Sequence, residues 1–187
     1  MGASGEKERK NEAYFDNKRI DIDIVIGMRK SICKIIIKKK DGILYGTGFF
    51  MKVSDSKRYF MINYHVLDLD SLNEKFEIEI WNKKIFTLNS EKINIEYLKE
   101  PKDITALEIT DLDEILEEVL FLTYDKNYED GYLAYKDADV FTIEYPFGKS
   151  AKCSSGKIMN IDEYQFDHNI ATEYGSSGCP ILLFYLI

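Results

Sequence analysis

Residues 32–53 read ICKIIIKKKDGILYGTGFFMKV, and this stretch decides the fold class. An apolar run rich in β-branched residues (32–37) is followed by three lysines, the pair Asp41-Gly42 and a second apolar run (43–53). β-Branched residues favour strands, and Asp-Gly between two apolar runs is a strong hairpin signal. The stretch therefore predicts an antiparallel hairpin with lysines 38–40 at its solvated tip, rather than a nucleic-acid patch.

Similar short apolar runs continue toward the C-terminus, and together they predict an all-β chain. The further predicted strands are 59–63, 76–81, 85–88, 93–98, 104–109, 138–144, 156–161, 169–172 and 180–187. Residues 111–122 are helical or irregular in character and are predicted to link two halves. No predicted helix alternates with the strands, so two antiparallel barrels or a sandwich are favoured over a βαβ sheet. Residues 1–22 are charged and lack apolar periodicity, which predicts a flexible tail.

The composition limits the classes of function. A net charge of −8 over 187 residues argues against nucleic-acid binding, since phosphates would be repelled. The cysteines, Cys33, Cys153 and Cys179, are few and odd in number, so they do not suggest a disulfide framework. This cysteine usage predicts a cytoplasmic or other reducing intracellular compartment. No secretory signal and no apolar window of about 18 residues is visible, so no membrane partner is predicted. Two histidines and scattered cysteines predict no metal site and no cofactor.

Three separate residues suggest nucleophilic chemistry, although each also has a plain structural explanation. The stretch GSSGCP (175–180) places a serine between glycines, where a hydroxyl nucleophile can lie beside amides that stabilise an oxyanion; it is equally an ordinary turn before a strand. His65 directly follows an apolar strand and is a candidate base, or a structural histidine at a strand end. Asp103 precedes strand 104–109 and is a candidate carboxylate to orient the imidazole, or a turn aspartate.

In combination, these residues resemble the trypsin-like serine peptidases of the chymotrypsin fold, most closely the Deg/HtrA-like branch that lacks disulfides. The resemblance covers about residues 30–187, and the blocks follow the family's order of histidine, aspartate and serine, 38 and 74 residues apart. The matching blocks are Gly46-Thr47-Gly48-Phe49, Asn63-Tyr64-His65-Val66, Asp103-Ile104-Thr105-Ala106-Leu107, Tyr145-Pro146-Phe147-Gly148 with Ser155-Gly156-Lys157-Ile158, and Gly175-Ser176-Ser177-Gly178.

The resemblance implies a chymotrypsin-like double antiparallel β-barrel whose second barrel is incomplete at the C-terminus. The expected divisions are an N-terminal barrel (23–112), an inter-barrel linker (113–130) and a C-terminal barrel (131–187). It implies a serine endopeptidase acting on polypeptides through an acyl-enzyme, with Ser177 as nucleophile, His65 as general base and then acid, and Asp103 orienting the imidazole.

Further site residues follow from the same resemblance. The backbone N–H groups of Gly175 and Ser177 would form the oxyanion hole, and Ser176 is the less favoured nucleophile. His168 and Thr172 are the candidate pocket residues, although His168 can also be read as a loop residue. Triad chemistry does not choose amides over esters, so an esterase acting on small acyl substrates is a further alternative.

The chain departs from the family pattern at two places. Residues 24–27 resemble the activation peptide of secreted relatives, but Ser176 stands where those relatives carry the receiving aspartate, so a plain strand or linker is predicted there. In the family two more strands follow the one after the serine, whereas strand 180–187 is the last here; its exposed edge predicts self-association. The open alternatives are a fragment, strands supplied by another chain, or a degenerate relative that acts as a peptide-binding or structural module.

Overall fold

The 32–53 stretch forms the central hairpin of the larger of the two main sheets. The structure is a computed structural model that describes residues 13–15, 18–73, 75–88, 94–99, 102–109, 113–126, 132–162 and 165–184. The strands are β1 (Ala13–Phe15), β2 (Lys18–Ile20), β3 (Ile32–Lys39), β4 (Gly42–Lys52), β5 (Arg58–Ile62), β6 (Phe76–Glu79), β7 (Ile85–Leu88), β8 (Ile95–Leu98), β9 (Ile104–Glu108), β10 (Leu122–Thr123), β11 (Asp139–Glu144), β12 (Lys152–Ile161), β13 (Phe166–His168) and β14 (Leu182–Leu183). The helices are α1 (Ile22–Arg29), α2 (Leu69–Leu72) and α3 (Asp113–Leu116), with 3-10 turns at Tyr132–Tyr135 and Pro146–Gly148.

The larger sheet curls into a half-barrel with the strand order β7-β6-β3-β4-β5-β9-β8, and β10 adds to β4 in parallel. Lys39 pairs with Gly42 across the predicted tip, which confirms the hairpin. The alternation in β6 is also confirmed, because Phe76 and Ile78 are buried while the glutamates between and after them are half-buried. Complete burial of each large apolar side chain contributes about 1.5–3 kcal/mol. The largest wholly buried side chains of this core include Ile35, Ile37, Phe50, Phe60, Phe76, Ile78 and Leu107.

The smaller sheet follows the order β13-β12-β11-β14 and is antiparallel throughout. Strand β11 is central, and its side chains are buried on both faces. Val140 packs with Ile158 and Ile170 on one side. Phe141 and Ile143 pack with Ile32, Tyr145 and partly buried side chains of α1 on the other. The second cluster joins the two sheets, because Ile32 belongs to β3.

One prediction was wrong at residues 24–27, which form part of helix α1 instead of a strand or linker. Asp21 caps this helix by accepting a hydrogen bond from the amide of Asp23 at 2.9 Å. Ile24, Val25 and Met28 share one helical face and pack against the cluster that joins the sheets. The cap and this packing outweigh the strand preference of the β-branched residues.

The predicted strand at 169–172 is also wrong, because β13 ends at His168. The Asn169 side chain accepts a hydrogen bond from the amide of Lys157 at 2.6 Å, in place of a backbone carbonyl. Asparagine commonly competes with strand pairing in this way. At 180–187 the structure contains a strand only at Leu182–Leu183, and residues 185–187 lie outside the described ranges.

The remaining predicted strands are present with ends shifted by at most a few residues, and 111–122 contains the short helix α3. Within the predicted flexible tail, β1 and β2 form an antiparallel pair and α1 begins at Ile22. Residues 1–12 and 16–17 lie outside the described ranges. The predicted barrel boundaries stay predictions.

Candidate active site

His65 and Asp103 are joined by two hydrogen bonds. Asp103 Oδ2 lies 2.6 Å from His65 Nδ1, and Asp103 Oδ1 accepts from the His65 amide at 2.8 Å. The Asp103 carbonyl accepts from the amide of Tyr64 at 3.1 Å and from the side chain of Asn63 at 3.0 Å. Asp103 has a left-handed φ of +51°, which aspartate tolerates better than most residues. These bonds fix the imidazole plane and leave Nε2 as the ring nitrogen available for proton transfer.

The register of two neighbouring strands brings this pair together. Strands β5 and β9 are antiparallel, and Ile62 at the end of β5 faces Thr105 near the start of β9. His65 follows the first strand and Asp103 precedes the second, so both lie at the same sheet edge. The Thr105 hydroxyl donates to the carbonyl of Leu67 at 2.9 Å and ties the loop after His65 to β9.

The serine turn, residues 175–178, contains two serine hydroxyls, and one of them stabilises the turn itself by accepting a hydrogen bond. Ser176 is buried, and its Oγ accepts from the amide of Glu173 at 3.1 Å. The amides of Ser176 and Cys179 close the turn by donating to the carbonyls of Glu173 and Ser176, each at 3.0 Å. Ser177 is partly exposed, and the described residues include no hydrogen-bond partner for its hydroxyl. Within the same residues, the amides of Gly175 and Ser177 have no acceptor.

Both glycines of the turn are required by its geometry. Gly175 has φ +93°, and a Cβ there would lie 2.8 Å from the Tyr145 carbonyl oxygen and 2.9 Å from the Phe147 nitrogen. Gly178 has φ +89°, and a Cβ there would collide with the carbonyl oxygen of Thr47. Side-chain-bearing residues are strained in such conformations.

The turn packs directly against the larger sheet. The Thr47 amide donates to the Ser177 carbonyl at 2.9 Å, and the Thr47 hydroxyl donates to the Gly175 carbonyl at 2.8 Å. A Cβ on Gly178 would lie 3.2 Å from the nitrogen of Asn63, two residues before His65. The turn is thus held beside the segment that carries the histidine, although no hydrogen bond joins Ser177 to His65, both of which are described. Sequence reasoning missed the contacts of Thr47, since nothing local signals a partner 128 residues away.

A mostly apolar cavity of about 810 Å³ is lined in part by residues next to this site. Asn63 and Ile104, which flank the His65–Asp103 pair, form part of its wall together with residues 179–183. His168 and Thr172 do not line it. His168 ends β13 with a buried Nδ1 that has no partner among the described residues, and Thr172 is exposed before the serine turn. Their assignment as pocket residues stays a prediction.

The cysteines are free thiols whose ionisation is suppressed. Burial raises the pKa of Cys153 to about 12, with a smaller contribution from the nearby Glu144 carboxylate. Burial likewise raises the pKa of Cys179 and lifts that of Cys33 well above its usual value. Within the described ranges no three His, Cys, Asp or Glu side chains gather closely enough to hold a metal ion. No described helix combines the length and apolar character needed to cross a membrane.

Together, the two main sheets, with the His65–Asp103 pair at an edge of one and the serine turn docked beside it, define a chymotrypsin-type, trypsin-like β-barrel fold. The chain is similar in structure to the serine endoprotease from Yersinia pestis, with a TM-score of 0.61 and 15% identity over 85% of this chain and 52% of that chain. It is similar to Deg5, with a TM-score of 0.63 and 16% identity over 88% of this chain and 79% of that chain. It is also similar to the HtrA-type protease AlgW, solved with a tripeptide, with a TM-score of 0.61 and 16% identity over 87% of this chain and 50% of that chain.

These likenesses confirm the predicted resemblance to Deg/HtrA-type proteases at the level of fold. The chain spans about half the length of the Yersinia pestis and AlgW chains. No family model matches the chain, and no curated protein matches it in sequence.

Proposed function

We propose that this chain is a serine endopeptidase that hydrolyses peptide bonds through an acyl-enzyme. The observation that carries the proposal is the two-point bond between Asp103 and His65, 2.8 Å to the amide and 2.6 Å to the ring. A carboxylate bonded to Nδ1 holds the tautomer in which Nε2 accepts a proton. The docking of the Ser177 turn beside Asn63 supports Ser177 as the nucleophile of this pair.

In the first half-reaction, the Ser177 hydroxyl attacks the substrate carbonyl carbon while His65 Nε2 takes its proton. The carbonyl oxygen becomes an oxyanion, which the amides of Gly175 and Ser177 bind; neither amide has an acceptor among the described residues. His65 then returns the proton to the leaving amine as the C–N bond breaks, and the acyl group remains on Ser177. The Asp103 carboxylate stabilises the imidazolium.

In the second half-reaction, water replaces the amine. His65 takes a proton from water as its oxygen attacks the acyl carbon, and the second oxyanion is bound by the same two amides. Collapse of this intermediate breaks the ester bond, and His65 returns the proton to Ser177. The products are a carboxylic acid, an amine and the unchanged chain, so no cofactor takes part.

A second candidate is a catalytically silent peptide-binding module of the same fold. The observation that favours it is that no hydrogen bond joins the described residues Ser177 and His65. The exposure of the His65 side chain, 58%, also lets water compete for the imidazole. Catalytic hydrogen bonds often form fully only when substrate is bound, so this observation favours inactivity weakly.

Labelling with a fluorophosphonate, which forms a covalent bond with activated serines, separates the two candidates. We expect the wild-type chain to gain one adduct and Ser177→Ala to gain none. Ser56→Ala, which removes an exposed serine from the β4–β5 loop, should label like the wild type. Peptide mapping by mass spectrometry should place the adduct on Ser177 and not on Ser176. A folded wild-type chain that gains no adduct would overturn the peptidase proposal and favour the silent module.

The esterase alternative is tested on the same proteins. A peptidase should cleave an internally quenched peptide library, with Ser177→Ala inactive. Turnover of p-nitrophenyl acetate without cleavage of any library peptide would favour an esterase instead.

A further inference from the structure

Thr47 is a wholly buried threonine of β4 whose polar atoms contact the serine turn and the residue that follows β11. Its hydroxyl donates to the Gly175 carbonyl at 2.8 Å and accepts from the Tyr145 amide at 3.0 Å. Its amide donates to the Ser177 carbonyl at 2.9 Å, and its own carbonyl oxygen lies against Gly178. A single residue of the larger sheet therefore contacts three residues of the serine turn.

The Gly175 N–H lies in one planar peptide group with the Tyr174 carbonyl, so its direction follows that carbonyl, while the Gly175 carbonyl restrains the other side of the residue. Gly175 has no side chain to restrict its torsions, so the positions of these carbonyls set its φ of +93°. The preceding carbonyl, that of Tyr174, accepts from the Phe147 amide at 2.6 Å. The following carbonyl is that of Gly175 itself, which the Thr47 hydroxyl holds.

The same hydroxyl also binds the segment after β11, which packs against the turn. By accepting from the Tyr145 amide it holds the segment that supplies the Phe147 amide two residues later. The Tyr145 carbonyl is the closest atom to a Cβ at Gly175, so this segment and the turn leave little room between them. The Thr47 hydroxyl therefore holds the Gly175 carbonyl directly. Through Tyr145 it also restrains the segment whose Phe147 amide holds the Tyr174 carbonyl.

We propose that Thr47 is a positioning residue that sets the direction of the oxyanion-binding amide of Gly175 without touching substrate. This inference rests on the proposed function, because it assigns Thr47 to the same site. A valine has nearly the same shape but would leave the Gly175 carbonyl and the Tyr145 amide buried without partners. A serine keeps the hydroxyl and loses only the methyl group.

The test compares Thr47→Val and Thr47→Ser with the wild type. Thr105→Val is the matched control for hydrogen exchange in the turn, since Thr105 is also wholly buried in the larger sheet and its hydroxyl donates to the Leu67 carbonyl, not to the turn. The readouts are amide hydrogen exchange by mass spectrometry and the kinetics of fluorophosphonate labelling. Labelling is separated into the maximal rate constant and the probe concentration that gives half of it.

We expect Thr47→Val to lower the maximal labelling rate constant about 10²-fold, the loss typical of one oxyanion donor, with the half-saturating concentration little changed. Thr47→Ser should stay within about fivefold of the wild type. Exchange at residues 174–178 and at the Tyr145 amide should accelerate up to about tenfold in Thr47→Val, as for one lost hydrogen bond. Thr105→Val should leave exchange in that segment unchanged.

The outcomes separate this inference from the proposed function. If the wild type is not labelled, the function fails, and the exchange data alone judge Thr47: faster exchange in Thr47→Val but not in Thr105→Val supports it, and equal exchange overturns it. If the wild type is labelled and Thr47→Val is labelled equally fast, the inference is overturned while the function stands. If Thr47→Val does not fold, Thr47→Ser decides: wild-type labelling and exchange support the inference, and their loss contradicts it.

Discussion

Asp103 binds His65 through both carboxylate oxygens, one on the backbone amide at 2.8 Å and the other on ring nitrogen Nδ1 at 2.6 Å. The first bond fixes where the histidine lies, and the second fixes how its ring is turned. Neutral asparagine cannot reproduce this pattern fully, because one of its two terminal atoms only donates.

Asp103→Asn should therefore lower the labelling rate about 10³- to 10⁴-fold, since the wrong imidazole tautomer would be stabilised. The control is Asp68→Asn, three residues after His65. Asp68 caps α2 by accepting from the Ser71 amide at 2.8 Å, and asparagine caps helices equally well. That control should label within about twofold of the wild type. Equal labelling of Asp103→Asn and Asp68→Asn would show that the Asp103 carboxylate has no catalytic part.

Alanine at Gly178 should reduce both labelling and stability. Its φ of +89° is unfavourable for alanine, and the new Cβ would collide with the Thr47 carbonyl oxygen. Gly27→Ala is the control, because a Cβ at this helical position meets nothing within 4 Å. It should raise the free energy of unfolding by about 0.5–1 kcal/mol, since alanine is the better helix former. Urea denaturation and probe labelling of both variants check this, and a Gly178→Ala chain as stable as the wild type would contradict the described turn.

Removing the lysine of the buried Lys34–Glu79 pair should destabilise the fold. The two charges lie 2.8 Å apart on β3 and β6, with side chains only 11% and 17% exposed. Lys34→Met leaves the largely buried Glu79 carboxylate unpaired, so we expect a loss of about 3 kcal/mol in the free energy of unfolding. Lys38→Met, which breaks the more exposed Lys38–Glu77 pair on the same two strands, should change it by less than about 1 kcal/mol. If both variants lost similar free energies of unfolding in urea denaturation, the described difference in burial between the two ion pairs would be refuted.

The native thiols should resist modification near pH 8. Burial raises the pKa of Cys153 to about 12, so its thiolate fraction at pH 8 is about 10⁻⁴, against roughly a quarter for a free cysteine. Ellman's reagent should accordingly react at least about 10²-fold faster with the urea-unfolded chain than with the folded one. Rapid reaction of all three thiols in the folded chain would contradict this burial.

The same pKa shifts give a direction for stability against pH. Since the folded state keeps its thiol protons to higher pH, the unfolded state loses protons first as pH rises above about 8.5. Below that pH the thiols do not reduce the free energy of unfolding, and between about pH 8.5 and 12 they lower it. Cys153→Ser should make this alkaline loss shallower in urea titrations at a series of pH values.

Local patterns predicted the strands of the larger sheet because each carries its own signal. The Asp41-Gly42 turn between two apolar runs gave the hairpin, and the alternation at 76–79 gave a half-buried strand. Placing His65 and Asp103 together needed the family pattern, since no local signal shows that β5 and β9 are neighbours in this register. Once those strands pair, the contact between the two residues follows from their positions at the strand ends.

The failures share a physical cause, which is a contact with residues distant in sequence. Ile24 and Val25 favour a strand by propensity, but packing against the cluster around Ile32 and Phe141 stabilises a helix. Asn169 ends a strand early because its side chain binds the Lys157 amide across the sheet. The role of Thr47 depends on carbonyls 128 and 130 residues further along the chain.

The long separation between Thr47 and the serine turn also has a consequence for the order in which the chain matures. Closing a loop of 128 residues is entropically unfavourable, and such distant contacts form late in folding. During synthesis the segments that carry His65 and Asp103 emerge before the turn that carries Ser177. Under the proposed function, the three groups would therefore come together only after this turn has docked on β4.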